Sequence, residues 1–153
     1  MKVELVNYTS DAVDLLLFTK NTRLMDDEDA YGKIAGWSET KKQEELDYML
    51  QTIRSSWEFI DYTFNIRDVS RGFTHQFVRT RQASYAQQSQ RTVDMFGFSY
   101  YTPERIEQNH EALEEYDKAM ADIADAYQRL RKFVPAEDAR GVLPTNIHTN
   151  IVA

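Results

Sequence analysis

An α+β fold, a mixed or antiparallel sheet with flanking helices and one long helix in a single domain over 1–153, is predicted by three features of the chain. Lys2 to Val6 alternate apolar and polar side chains, the period of a short strand. Ile60, Tyr62, Phe64 and Ile66 alternate with Asp61, Thr63 and Asn65, which predicts a second, half-buried strand. Ile106, Leu113, Tyr116, Met120, Ile123, Tyr127 and Leu130 recur at helical spacing, with Glu111, Glu114, Glu115, Asp117, Asp122 and Asp125 on the opposite face. A stripe this sustained reads as core or subunit interface.

The remaining elements follow in order. Ser10 and Asp11 are suited to cap a helix through Val13, Leu16 and Leu17 toward Asn21. Met25 to Thr40, with Asp26, Asp27, Glu28 and Asp29 together, reads as an exposed loop or a weak helix. Leu46, Met49, Leu50 and Ile53 predict a helix from Lys41 to Arg54. Ser70 offers an N-cap for a helix containing Phe73, Phe77 and Val78. Gly97 to Tyr101 is turn-like, and Thr102-Pro103 is expected to start the long helix with proline at its first position. Pro135 opens a short helical turn through Arg140. No repeat, Gly/Ser linker or low-complexity stretch divides the chain.

Composition narrows the functional classes. A formal charge of −7 and a pI near 5.0 argue against a general nucleic-acid binder, which is usually basic. Cysteine is absent, so disulfides, thiolate metal sites and cysteine nucleophiles are excluded. His75, His110 and His148 lie far apart without ligand-type spacing, so no metal site is expected. Leu15-Leu16-Leu17-Phe18 is the longest apolar run, far short of a membrane span, and Met1 to Leu5 holds no apolar targeting segment. A cytoplasmic protein without nucleic-acid or membrane partners is the expectation.

Against this acidic background, Ser70 to Arg91 holds four arginines, one histidine and no acid. Guanidinium groups beside serine and glutamine side chains are suited to phosphate oxygens. In a helix opened by Ser70, Arg71, His75 and Arg79 recur every four residues, with Gln76 one position around from His75. Arg79 to Arg91 then continues as a polar loop able to cradle an anion. The same arginines are equally suited to surface ion pairs with the acidic face, each worth about 0–1 kcal/mol.

Ser70-Arg71, His75-Gln76-Phe77-Val78-Arg79-Thr80-Arg81-Gln82-Ala83-Ser84 and Ser89-Gln90-Arg91 together resemble the R-H-R-x-x-S and S-x-R signature of flavin-dependent thymidylate synthases. Ala139-Arg140-Gly141-Val142-Leu143-Pro144 through Thr149 is similar to the family's A-R-x-x-L-P segment. Weaker likenesses are Lys20-Asn21-Thr22-Arg23 and Ser55-Ser56-Trp57-Glu58-Phe59. The order and spacing match the family over nearly the whole chain.

The resemblance implies a homotetramer that methylates dUMP to dTMP, with FAD as cofactor, methylenetetrahydrofolate as carbon donor and NADPH as reductant. It places Gln76, Arg79, Gln87, Ser89, Arg91 and Arg140 around the nucleotide, with Arg91 on the phosphate and Arg140 on the base. Ser89 and Arg91 are the implied catalytic residues. Thr22, Ser55, Arg79, Thr80, Arg81 and Gln87 are placed on the flavin. The lack of cysteine agrees, because only the flavin-free synthases need that nucleophile.

Several positions depart from the family pattern. Thr80 stands for the middle histidine of R-H-R, Ala86 for Asn or Ser, Thr92 for tyrosine, and Ile53 and Phe59 for upstream histidines. The family also continues past Pro144 into a helix bearing a further arginine, a segment the chain is expected to lack. These departures keep two alternatives open: a non-catalytic nucleotide-binding or assembly protein, and a flavin-dependent pyrimidine nucleotide hydroxymethylase.

Overall fold

The computed structural model describes residues 1–52 and 55–153. Ile53 and Arg54, the end of the expected 41–54 helix and one of the departures from the family pattern, lie outside them. The chain divides into two compact units, one of residues 5–63 and one of residues 1–4 with 64–153.

In the 5–63 unit, three helices close over one apolar cluster. They are α1 (Ala12–Lys20), α2 (Ala30–Ala35) and α3 (Glu39–Thr52). Leu16 and Leu17 of α1, Ile34 of α2 and Met49 of α3 form the buried centre, with Phe18, Leu24, Trp37, Leu46 and Ile60 packed around it. Asp11 stands at the N-cap of α1 as expected, yet no side-chain hydrogen bond is made there. At the other end buried Asn21 stops the helix: its Nδ2 donates to the Leu17 carbonyl at 2.7 Å. The acidic run does not leave all of 25–40 as loop. Ala30 and Ile34, one turn apart, are both buried, and this apolar pair holds α2 in place. In α3 the expected stripe is only partly inward: Met49 is fully buried but Leu50 is 58% exposed.

The sheet has strand order β1-β2-β4-β3, and the larger unit holds β3, β4, β2 from residue 64 on and β1 up to residue 4. The strands are β1 (Lys2–Tyr8), β2 (Tyr62–Ser70), β3 (Ala86–Gln87) and β4 (His148–Val152). β4 runs antiparallel to both β2 and β3. Ile66 faces Ile151 and Val69 faces Thr149, so β2 carries one residue more than β4 between these pairs. This bulge sets the spacing of the buried residues beyond Ile66, whereas the expected inward face already fails before it. Ile66 and Val69 are buried three residues apart, while Tyr62 is 56% exposed. Asp68 absorbs the distortion at φ 56°, a left-handed conformation that aspartate tolerates, and its N–H donates to Asn150 Oδ1 at 3.2 Å.

Helix α4 (Arg71–Phe77) begins where expected, with Ser70 Oγ accepting from the Phe73 N–H at 3.1 Å. The expectation of a long helix from Pro103 is corrected. Pro103 caps only a four-residue helix, α5 (Glu104–Glu107), and the long helix α6 runs from His110 to Leu130. Asn109 is the cause: it takes an extended backbone and caps α6, its Oδ1 accepting from the Ala112 N–H at 3.1 Å. The stripe itself faces inward, with Met120 and Tyr127 buried. Tyr127 O–H donates to Asp94 Oδ1 at 3.1 Å, and Arg131 pairs with the other oxygen of that carboxylate at 3.3 Å. Pro135 then precedes α7 (Ala136–Ala139) and a single 3-10 turn, Arg140–Val142.

The Tyr100 O–H donates to Asp117 on α6 at 2.7 Å. That hydrogen bond, then burial and the Asp117 charge, push the Tyr100 phenol above its ordinary pKa. A raised folded-state pKa gives support that is complete below the unfolded tyrosine value of about 10 and is lost as pH rises through the raised one. Tyr100→Phe is therefore expected to destabilise the protein at neutral pH and to lose stability less steeply than the parent at alkaline pH. Thermal melts of both proteins between pH 8 and 11 check this.

Candidate functional site

The site lies entirely within the larger unit and starts from the cap of α4. With Ser70 fixing the helix start, the Arg71 N–H donates to the Ile147 carbonyl at 3.0 Å and the Gly72 N–H to the Thr145 carbonyl at 2.7 Å. These bonds bring the first turn of α4 against the segment that follows α7. On that segment Arg140 is held by its own turn, its Nε donating to the Glu137 carbonyl at 3.0 Å. Between the two lies an open cleft of about 260 Å³. Its lining takes Arg71 and His75 from α4, Gln90 from the loop after β3, and Arg140, Gly141 and residues 143–145 from the segment after α7.

The electrostatics of the cleft are one-sided. Arg71 is half-buried, and burial first, then the neighbouring charge of Arg140, lower its pKa. A guanidinium remains charged through such a shift, so two like charges share the cleft. Among the described residues no carboxylate pairs with Arg71, Arg79, Arg81 or Arg140. Arg91 differs: its Nε meets Glu137 Oε1 at 3.2 Å, with both side chains more than half exposed. Glu137 thus touches Arg91 with its carboxylate and Arg140 with its carbonyl. Of the two uses open to the arginines, Arg91 makes the surface pair and Arg71 and Arg140 do not.

The other expected site residues fall into three groups. Gln76, Arg79, Thr80 and Arg81 are exposed at the end of α4 and in the turn beyond it. Helix α4 stops at Phe77, so Arg79 does not continue the face of Arg71 and His75, and neither Arg79 nor Gln76 lines the cleft. The turn is closed by the Tyr85 O–H, which donates to the Thr80 carbonyl at 2.7 Å. Gln87 and Ser89 form the second group. Gln87 Nε2 donates to Thr74 Oγ1 at 2.8 Å, and Ser89 Oγ accepts from the Arg91 N–H at 3.2 Å. Thr22 and Ser55 form the third; both belong to the 5–63 unit, and each is exposed in a 3-10 turn.

Gln90 is the residue that sequence reasoning missed. It is 9% exposed, and its Nε2 has no hydrogen-bond partner. A glutamine between Ser89 and Arg91 in a polar run gives no signal of burial; only the packing of distant segments creates it. Among the described residues no helix is long and apolar enough to cross a membrane, and no group of His, Asp and Glu side chains is placed to hold a metal ion.

An antiparallel sheet flanked by helices, carrying a cleft with two unpaired arginines, defines an α+β protein built to hold an anion. The family model described as thymidylate synthase complementing protein matches residues 4–153, and the chain belongs to that family. It is 37% identical over 165 residues to the flavin-dependent thymidylate synthase of Sulfolobus acidocaldarius, covering 99% of this chain and 59% of that protein. It is 32% identical over 160 residues to the flavin-dependent thymidylate synthase of Pyrococcus abyssi, covering 99% of this chain and 64% of the relative. The chain therefore spans about three fifths of the length of these relatives. Its fold is similar to that of a solved structure, the UMP/dUMP methylase PolB from Streptomyces cacaoi bound with 5-Br dUMP. There the TM-score is 0.74 at 19% identity, over 99% of this chain and 70% of the other.

Proposed function

We propose that residues 1–153 act as one nucleotide- and flavin-binding domain of a flavin-dependent thymidylate synthase, which methylates dUMP to dTMP. Methylenetetrahydrofolate is the proposed carbon donor and NADPH the reductant. The observation that supports this most is the cleft in which Arg71 and Arg140 stand without carboxylate partners. A phosphomonoester carries about −1.5 to −2 charge at neutral pH and several acceptor oxygens. The donor-only guanidinium of half-buried Arg71 is matched to that phosphate, which leaves Arg140 for the base.

In this proposal Gln76, Arg79, Gln87, Ser89, Arg91 and Arg140 bind the nucleotide, Arg91 on its phosphate and Arg140 on its base. Ser89 and Arg91 stand nearest the chemistry. Gln87 already donates its amide N–H to Thr74, which leaves its carbonyl oxygen to accept from a ligand. Arg79 and Arg81 fit a flavin dinucleotide: they are exposed and lack carboxylate partners among the described residues, as the pyrophosphate of FAD requires. Thr22, Ser55, Thr80 and Gln87 complete the proposed flavin contacts, with Thr80 offering a hydroxyl and no ring to stack. When bound, reduced FAD supplies the hydride. This chain's residues bind and orient, and with no cysteine present none acts as a thiolate on the pyrimidine. A cytoplasmic homotetramer completes the proposal.

Purified protein is expected to show a flavin absorbance band and to oxidise NADPH faster when dUMP is added. No flavin uptake even at high FAD concentration would remove the cofactor assignment.

A further inference from the structure

We propose that Gln90 is a ligand-positioning residue: its carboxamide donates a hydrogen bond to an anionic oxygen of the ligand held in the cleft with Arg71 and Arg140. The inference rests on the proposed nucleotide site and adds to it a residue that the resemblance does not assign.

Gln90 is nine-tenths buried, lines the cleft, and carries an amide nitrogen with no acceptor among the described residues. Leaving a buried donor unpaired is unfavourable, so native proteins rarely do it without a reason. Among the described residues no acceptor lies within hydrogen-bond distance of that nitrogen. Arg71 and Arg140 are donors only. The Thr145 carbonyl is taken by the Gly72 N–H and the Glu137 carbonyl by Arg140. The cleft thus collects donors from three separate segments, and the buried one, Gln90 Nε2, is left without a partner among the described residues. An oxyanion with several free lone pairs, a phosphate monoester above all, answers the donors of Arg71 and Gln90, with Arg140 left for the base. The terminal torsion of a glutamine is soft, so a small rotation turns the amide N–H toward such an oxygen. A neutral donor lining the same cleft as two guanidinium groups adds direction to the contact without adding like-charge repulsion.

Calorimetric titration of inorganic phosphate and of dUMP into the parent protein, Gln90→Leu and Gln90→Glu tests this, alongside thermal melts without ligand. Gln90→Leu is expected to weaken both ligands roughly tenfold or more, the loss of one hydrogen bond to a charged acceptor. Its unliganded melting temperature should not fall, because an orphan donor has been removed. Gln90→Glu, nearly isosteric, should weaken both ligands further by placing a carboxylate against the oxyanion; it also serves if the leucine variant does not fold. A parent protein that binds phosphate but not dUMP, with phosphate affinity lost in Gln90→Leu, overturns the nucleotide reading and supports the Gln90 assignment. Unchanged affinities in both variants overturn the proposal, as does a parent protein that binds neither ligand.

Discussion

Arg91→Ala is expected to weaken dUMP binding by about 1.5–3 kcal/mol, the value of a hydrogen bond to a charged group. In the unliganded protein Arg91 Nε rests on Glu137 Oε1 at 3.2 Å, with both side chains more than half exposed. Exposed pairs of this kind contribute only about 0–1 kcal/mol, so Glu137 does not compete strongly for the guanidinium. A phosphate carrying nearly two charges displaces such a partner. The same contact makes binding salt-sensitive: raising ionic strength should weaken dUMP more for the parent than for Arg91→Ala. Calorimetry at two salt concentrations measures both effects. An unchanged affinity would remove Arg91 from the nucleotide site, whatever happened to its stability.

How much of this was legible before the structure depends on the range of the forces involved. Ser70 as the cap of α4 was legible, because an N-cap is a local hydrogen bond and its residue type is diagnostic. The inward stripe on α6 was legible because Leu113, Tyr116, Met120, Ile123, Tyr127 and Leu130 share one helical period; Ile106, read as part of it, belongs to α5. The start of that helix was misplaced by about two turns. Pro103 is a strong signal and Asn109 a weaker one, yet the asparagine cap is what sets the long helix. The spacing of the buried Ile66 and Val69 was beyond reach, since the extra residue between them exists only relative to β4, about eighty residues away. No periodicity within a strand reports a bulge created by its partner.

The site divides along the same line. Arg71 and His75 share the cleft because four residues on a helix share a face, whereas Arg79 does not because the helix ends before it. Arg140 came from a motif seventy residues from Arg71, and the backbone bonds from Arg71 and Gly72 to Ile147 and Thr145 are what bring the two together. Gln90 had neither period nor motif. Its role follows from burial and an unmet hydrogen bond, which are tertiary facts. Which arginine pairs with an acid and which stays free was equally invisible, since both kinds stand in the same basic run.

Leu17→Ala is expected to cost about 2–5 kcal/mol of stability, the range for removing a fully buried leucine side chain. Leu17 is 0% exposed and packs with Leu16, Ile34 and Met49 at the centre of the 5–63 unit. The cluster draws on three short helices, so a cavity there removes contacts that each helix needs, and none of the three is long enough to be stable alone. The Leu17 carbonyl also accepts from Asn21 Nδ2, the bond that closes α1, so movement of the backbone at Leu17 would unpair a buried amide as well. Leu50→Ala is the discriminating control. The period of α3 places Leu50 on the same stripe as Met49, but at 58% exposed it has little packing to lose, and its replacement should stay within about 0.5 kcal/mol of the parent. Urea denaturation of both variants separates the two cases. Equal costs would mean that Leu50 is covered in solution and that the stripe, rather than the observed packing, describes α3.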